Sequence, residues 1–160
     1  MQAPALAGPL RFCSHIEPGA PRAASVYTWP EDIASMTLRD EHGHVALRRG
    51  NGPVAAIRRT RGVLLRTFET PADAQGGWTL STRAVLRHRH ELHLRDGQAW
   101  NLRTPFFSVG IEGRERQGAR LRGRIGRRRD EWLFEIDAPA ATPDLVSAVA
   151  FLHWLCYFNA

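Results

Sequence analysis

Lysine is absent from this chain of 160 residues, and all 22 of its basic side chains are arginine. The codon bias of a GC-rich genome accounts for that choice, together with the abundant Ala, Gly and Pro. That is the simpler reading; the alternative is a surface selected for phosphate, because a guanidinium grips phosphate through a bidentate fork. Cysteine is scarce: Cys13 and Cys156 lack the spacing of a metal site and read as small reduced apolar residues, not a disulfide. That usage fits a cytoplasmic protein. The stretch "MQAPALAGPLRF" has neither a basic start nor a long apolar run, so no secretory signal is expected. No G-x-S-x-G, H-E-x-x-H or paired-cysteine motif occurs, and "GNGP" at 50–53 lacks the spacing of a nucleotide-binding loop.

What the chain does have is charge and alternation. The formal charge is +6 and the pI about 10.8, which points to an anionic partner, either a membrane surface or nucleic acid. With 43% hydrophobic residues, the length suits one domain that buries about two-thirds of its unfolded surface. Apolar residues alternate at period two from residue 10 onward. Candidate strands cover roughly 10–16, 25–29, 34–40, 44–49, 53–59, 62–69, 77–87, 90–95, 98–103, 105–112, 119–125 and 131–137. The loop "ETPADAQGG" (69–77) divides them into two sets.

One phrase occurs in each set, as "MTLRDEHGHVALR" from Met36 and "LHLRDGQAWNLR" ending at Arg103. In the first, Met36 and Leu38 share a face with Val45 and Leu47 across a four-residue loop, Asp40 to Gly43. In the second, Leu92 and Leu94 share a face with Trp100 and Leu102. That parity demands a three-residue loop, Arg95-Asp96-Gly97, with Gly97 in the left-handed region. A third hairpin matches Leu121, Gly123 and Ile125 to Trp132, Phe134 and Ile136. Its other face sets Arg120, Arg122 and Arg124 against Glu135 and Asp137 as cross-strand ion pairs. Trp78, Trp100, Trp132 and Trp154 read as core anchors.

The end of the chain breaks the alternation. Thr142 is a good N-cap, Pro143 suits the first turn and Asp144 complements the dipole. From Leu145 to Phe158 only Ser147 and His153 are polar, and a helix apolar on every side is buried on every side. Fourteen residues reach about 21 Å, short of the roughly 30 Å of a bilayer's hydrocarbon, so no transmembrane span is expected. About twelve strands close into a barrel too wide for side chains alone to fill, and a helix fills the lumen. The fold class is therefore mainly β, a closed barrel of about twelve strands around a buried hydrophobic C-terminal helix. Residues 1–160 form one domain, in which 1–24 is an N-terminal segment or first strand and 142–159 the central helix.

This order of elements resembles the tubby C-terminal-like superfamily, which includes the phospholipid scramblases and the LURP-one-related proteins. The family's repeated strand motif, l-x-D-x-x-G, is seen here as "TLRDEHGHV" and "HLRDGQAW". Its acidic-tipped last strand and apolar helix are seen as "WLFEIDAPAATPDLVSAVAFLHWLCYF". The resemblance spans about residues 25 to 158. It implies a twelve-stranded barrel around a helix, binding of phosphoinositides, and action at membranes with a link to DNA.

The expected function is accordingly a non-enzymatic module that docks on anionic phospholipid or a protein partner through an Arg-rich rim. A nucleic-acid-binding protein is the alternative, and an enzyme with a site at a barrel mouth the third reading. The expected anion-binding residues are Arg127, Arg128 and Arg129 at one hairpin tip, and Arg58, Arg59 and Arg61 at another. No cofactor is expected. The protein is placed in the cytoplasm, with membrane contact of a peripheral kind. In "HRHELH", His88 and His90 share a strand face and are metal candidates, although an exposed polar face explains them more simply. His153 is expected to be a structural histidine whose ring meets a backbone carbonyl of the barrel wall.

Overall fold

Among the described residues, twelve strands and one helix account for the alternating and the uniformly apolar stretches. The structure, a computed structural model, describes residues 10–17, 19, 21–29, 36–41, 44–50, 52, 54–60, 65–71, 77–83, 89–104, 110–125, 130–137, 140 and 142–158. The strands are β1 (Leu10–Glu17), β2 (Ala23–Trp29), β3 (Met36–Glu41), β4 (His44–Arg49), β5 (Val54–Thr60), β6 (Leu65–Glu69), β7 (Trp78–Arg83), β8 (Arg89–Leu94), β9 (Ala99–Arg103), β10 (Gly110–Glu115), β11 (Arg120–Ile125) and β12 (Glu131–Ile136). Each pairs antiparallel with its neighbours in sequence, and β1 pairs with β12, so the barrel is closed. Residues 10–17 are thus the first strand.

The hairpin registers follow side-chain parity. Leu38 faces Leu47, and the ladder runs on to Glu41 opposite His44. The connection between β3 and β4 is therefore two residues, not the four expected; both lengths are even and keep the same face inward. Leu92 faces Trp100 and His90 faces Leu102 across the expected three-residue turn, in which Gly97 has φ 103°. Leu121, Gly123 and Ile125 pair with Ile136, Phe134 and Trp132. The tenth strand runs to Glu115, past the expected end at 112; it is described from Gly110, and residues 105–109 lie outside the described residues. Glycine and charge make 112–115 look unlike a strand, but the ladder with β11 carries on to Arg114 opposite Arg120.

Gly123 shows why a strand interior tolerates glycine. A Cβ there would lie 2.3 Å from Ile111 Cγ2 and 2.6 Å from Phe134 Cδ1. These side chains lie over the glycine backbone on the inner face, where Phe134 also stacks on Phe12 at 4.6 Å.

The helix α1 (Pro143–Phe158) lies inside this wall, and Leu145 to Leu155 are buried without interruption. Its start is built as expected. Thr142 Oγ1 accepts from Leu145 N at 3.2 Å, and Asp144 is ion-paired with Arg49, which points inward from the end of β4. Trp78 Nε1 donates to Ser147 Oγ at 2.9 Å, and Ser147 Oγ donates to the Asp144 carbonyl at 2.8 Å. Phe151 packs against Phe68 and Trp78 at 5.1 and 5.5 Å. Trp78, Trp100 and Trp154 are buried, while Trp132 is half-buried. Burial stops short of the expected Phe158. The helix emerges at the far end of the barrel, where Cys156 is exposed and Tyr157 and Phe158 are half-buried. Among the described residues, no helix is long and apolar enough to cross a membrane.

Candidate functional site

The expected arginines divide into those the structure describes and those it does not. Arg61, Arg127, Arg128 and Arg129 lie outside the described residues. Arg58 and Arg59 are exposed near the end of β5, opposite Glu69 and Phe68 of β6. In an antiparallel meander the connections alternate between the two ends. The end of β5 and the end of β11, which lead into the two arginine clusters, therefore lie at one end of the barrel, where α1 also finishes. There Arg22 covers the Phe158 ring at 4.9 Å.

His88 also lies outside the described residues. His90 does not sit on an exposed polar face: it is buried, with 5% of its surface accessible. It shares the inward parity of Leu92 and Leu94, and that parity in "HELHL" was the signal for burial. Its Nδ1 lies 2.7 Å from Thr82 Oγ1 and its Nε2 lies 3.0 Å from Thr104 Oγ1. Both ring nitrogens are thus engaged by hydroxyls, and the ring bridges three strand ends. Among the described residues no three His, Cys, Asp or Glu side chains converge as metal ligands.

Among the described residues, the hydrogen-bond partner of His153 is a side chain, where a backbone carbonyl is expected. Its Nδ1 meets Ser14 Oγ of β1 at 2.8 Å, and its ring stacks on Trp132 at 4.4 Å. A barrel wall spends its carbonyls on the interstrand ladder, so a lumen histidine turns to an inward hydroxyl. Cys13 is buried, and its thiol is pushed up to about 11 by that burial and by the Glu131 carboxylate.

Among the described residues, the strongest concentration of one charge is on the wall formed by β8 to β11. Its outward positions carry six exposed arginines: Arg89, Arg103, Arg114, Arg120, Arg122 and Arg124. The outward carboxylates of the same strands are Glu91 and Glu112, which leaves an excess of four positive charges. Glu112 lies in register between Arg103 and Arg122. Arg114, in contrast, lies directly opposite Arg120. Like charges at such a position oppose pairing.

The expected ion pairs with β12 do not relieve this wall. Glu135 is opposite Arg122 in register, but its carboxylate pairs at 3.2 Å with Arg11 on the other side, from β1. Asp137 uses Oδ2 to accept the Arg120 backbone N–H at 2.8 Å. A strand in a closed barrel has two neighbours, and sequence alone shows only the hairpin partner. Between β9 and β11 the side chains of Asn101, Arg103, Arg114, Arg120 and Arg122, together with Glu112 of the middle strand, line a shallow depression of about 320 Å³. This wall can hold phosphate oxygens at several points at once. Set against protein-family models, curated proteins and solved structures, the chain matches none of them.

Proposed function

We infer that this chain is a non-enzymatic binding module of the tubby- and scramblase-like kind, docking on a phosphate-bearing anionic partner through arginines on the outside of its barrel. The observation that carries the reading is the β8–β11 wall, with six outward arginines against two carboxylates and Arg114 facing Arg120. An anion between those two guanidiniums replaces repulsion with two charge-assisted hydrogen bonds. The architecture supports the reading too: a closed barrel filled by an apolar helix is what the resemblance to that superfamily implies. Phospholipid headgroups and nucleic-acid backbones present the same phosphate chemistry. The reading keeps the protein in the cytoplasm, with membrane contact of a peripheral kind.

Two assays test it. Flotation with anionic vesicles, with and without phosphoinositide, is compared with gel shift on duplex DNA, using wild type, a wall variant (Arg114→Gln/Arg120→Gln) and a rim variant (Arg127, Arg128 and Arg129 all to Gln). Binding in either assay that the wall variant weakens supports the reading. A loss confined to the rim variant moves the site to the hairpin tip. Wild-type protein that binds neither vesicles nor duplex at low salt overturns the anionic partner altogether.

A further inference from the structure

We propose that the β8–β11 wall binds the phosphate backbone of double-stranded nucleic acid without reading its sequence. The proposal rests on the anionic-partner reading and names the partner of that same face.

The argument turns on what accompanies the arginines. A surface that docks on a bilayer gains from apolar or aromatic side chains that enter the interface. The exposed large hydrophobic residues among those described are Tyr27 and Val54, on β2 and β5, which lie away from this wall. A single strand is held by stacking its bases on exposed aromatic rings. On β8 to β11 the indole of Trp100 points inward and is 1% exposed, and the outward face offers one described ring, the imidazole of His93, in place of the series of aromatics that holds a single strand. Charge and hydrogen-bond donors remain, and a duplex backbone needs nothing else.

The dimensions agree. Outward residues two apart on a strand are about 6.7 Å apart, so Arg120, Arg122 and Arg124 span about 13 Å along β11. A duplex carries one charge per roughly 1.7 Å of axis, so this length holds about eight phosphates, about half of them facing the wall. The excess of four positive charges matches that half. Glu112 stands in register between Arg103 and Arg122, and Asn101 adds an uncharged donor opposite Arg114.

The test is fluorescence anisotropy of a labelled 20-base-pair duplex titrated with the full chain between 50 and 200 mM salt, with two unrelated sequences. Four contacts give a slope of log affinity against log salt of about −3.6, equal for both sequences. Arg114→Gln/Arg120→Gln makes the slope shallower by about 1.8 and weakens binding about sixtyfold at 100 mM salt. Arg39→Gln/Arg48→Gln, exposed on the β3–β4 wall, leaves the slope in place, and neither variant melts below wild type. Two outcomes overturn the proposal while leaving the anionic-partner reading standing. One is binding to anionic vesicles, lost in the wall variant, with no duplex binding. The other is duplex binding with the slope unchanged in the wall variant. Binding to neither probe overturns both.

Discussion

Nδ1 of His153 lies 2.8 Å from Oγ of Ser14, which joins the middle of the central helix to the first strand across 139 positions of sequence. Both residues are fully buried. With the Trp78–Ser147 and Arg49–Asp144 contacts, it ties an otherwise apolar helix to the wall at three polar points. Removing one partner strands a polar ring in the core, which costs about 1–3 kcal/mol. Ser14→Ala is therefore expected to lower stability by that amount, measured by urea unfolding. Ser14→Ala/His153→Leu should lose clearly less than the two single losses summed. Strict additivity would show that the pair is not coupled.

The lumen depends on the helix. Val149 is fully buried midway along α1. Val149→Asp puts an uncompensated charge there and is expected to cost several kcal/mol, read as a large drop in melting temperature. Deleting residues 142–160 should leave an insoluble or molten product, with dye binding to the exposed lumen. A soluble truncation with a sharp thermal transition would show that the wall does not need the helix.

Gly123 is required by close approach, not by a turn. Gly123→Ala brings a methyl group into Ile111 and Phe134, and the expected cost is about 1–3 kcal/mol. The double change Gly123→Ala/Phe134→Leu should recover part of the loss, since space is returned where it was taken. No recovery would place the cost in the backbone.

The two thiols should differ in access. Cys156 is exposed at the end of the barrel and is expected to react first with an alkylating reagent at pH 8; Cys13 should react only on unfolding. The raised thiol of Cys13 also fixes a pH dependence. A group that ionises near 9 when unfolded and near 11 when folded favours the native state below pH 9 and loses that contribution as the pH rises towards 11. The alkaline limb of the stability curve should therefore be flatter in Cys13→Ala.

Parity made the barrel legible. Once Leu92 and Leu94 had to face inward with Trp100 and Leu102, the loop length followed, and Gly97 had one conformation left to take. The same parity carried a warning at His90, which alternation places inside as firmly as its leucine neighbours. The polar appearance of "HRHELH" hid it, because no local pattern reveals that Thr82 and Thr104 would be there to satisfy both ring nitrogens. The charged wall was harder to see. Arg103 and Arg114 belong to different hairpins, and Arg11, which holds Glu135, is more than a hundred positions away in sequence. Runs such as 127–129 are conspicuous in sequence, whereas a patch assembled from alternate residues of four strands is not. The repeated phrase also changed meaning. It falls on β3–β4 and β8–β9, five strands apart, so its two turns lie at opposite ends of the barrel.

The closure of β1 on β12 sets a clock for synthesis. From Leu10 to Ile136 the ladder is made of neighbours in sequence, but its last seam joins strands more than a hundred positions apart. The helix that fills the lumen follows that seam. At about 5–20 residues per second, the first strand leaves the ribosome roughly 6–25 s before its closing partner exists. Through that interval the growing sheet has an open edge and an uncovered apolar face, the condition under which nascent chains recruit holdase chaperones. Late contacts of such long span also slow refolding, so the yield of native barrel should depend on how well the unfinished sheet is kept from other chains while it waits.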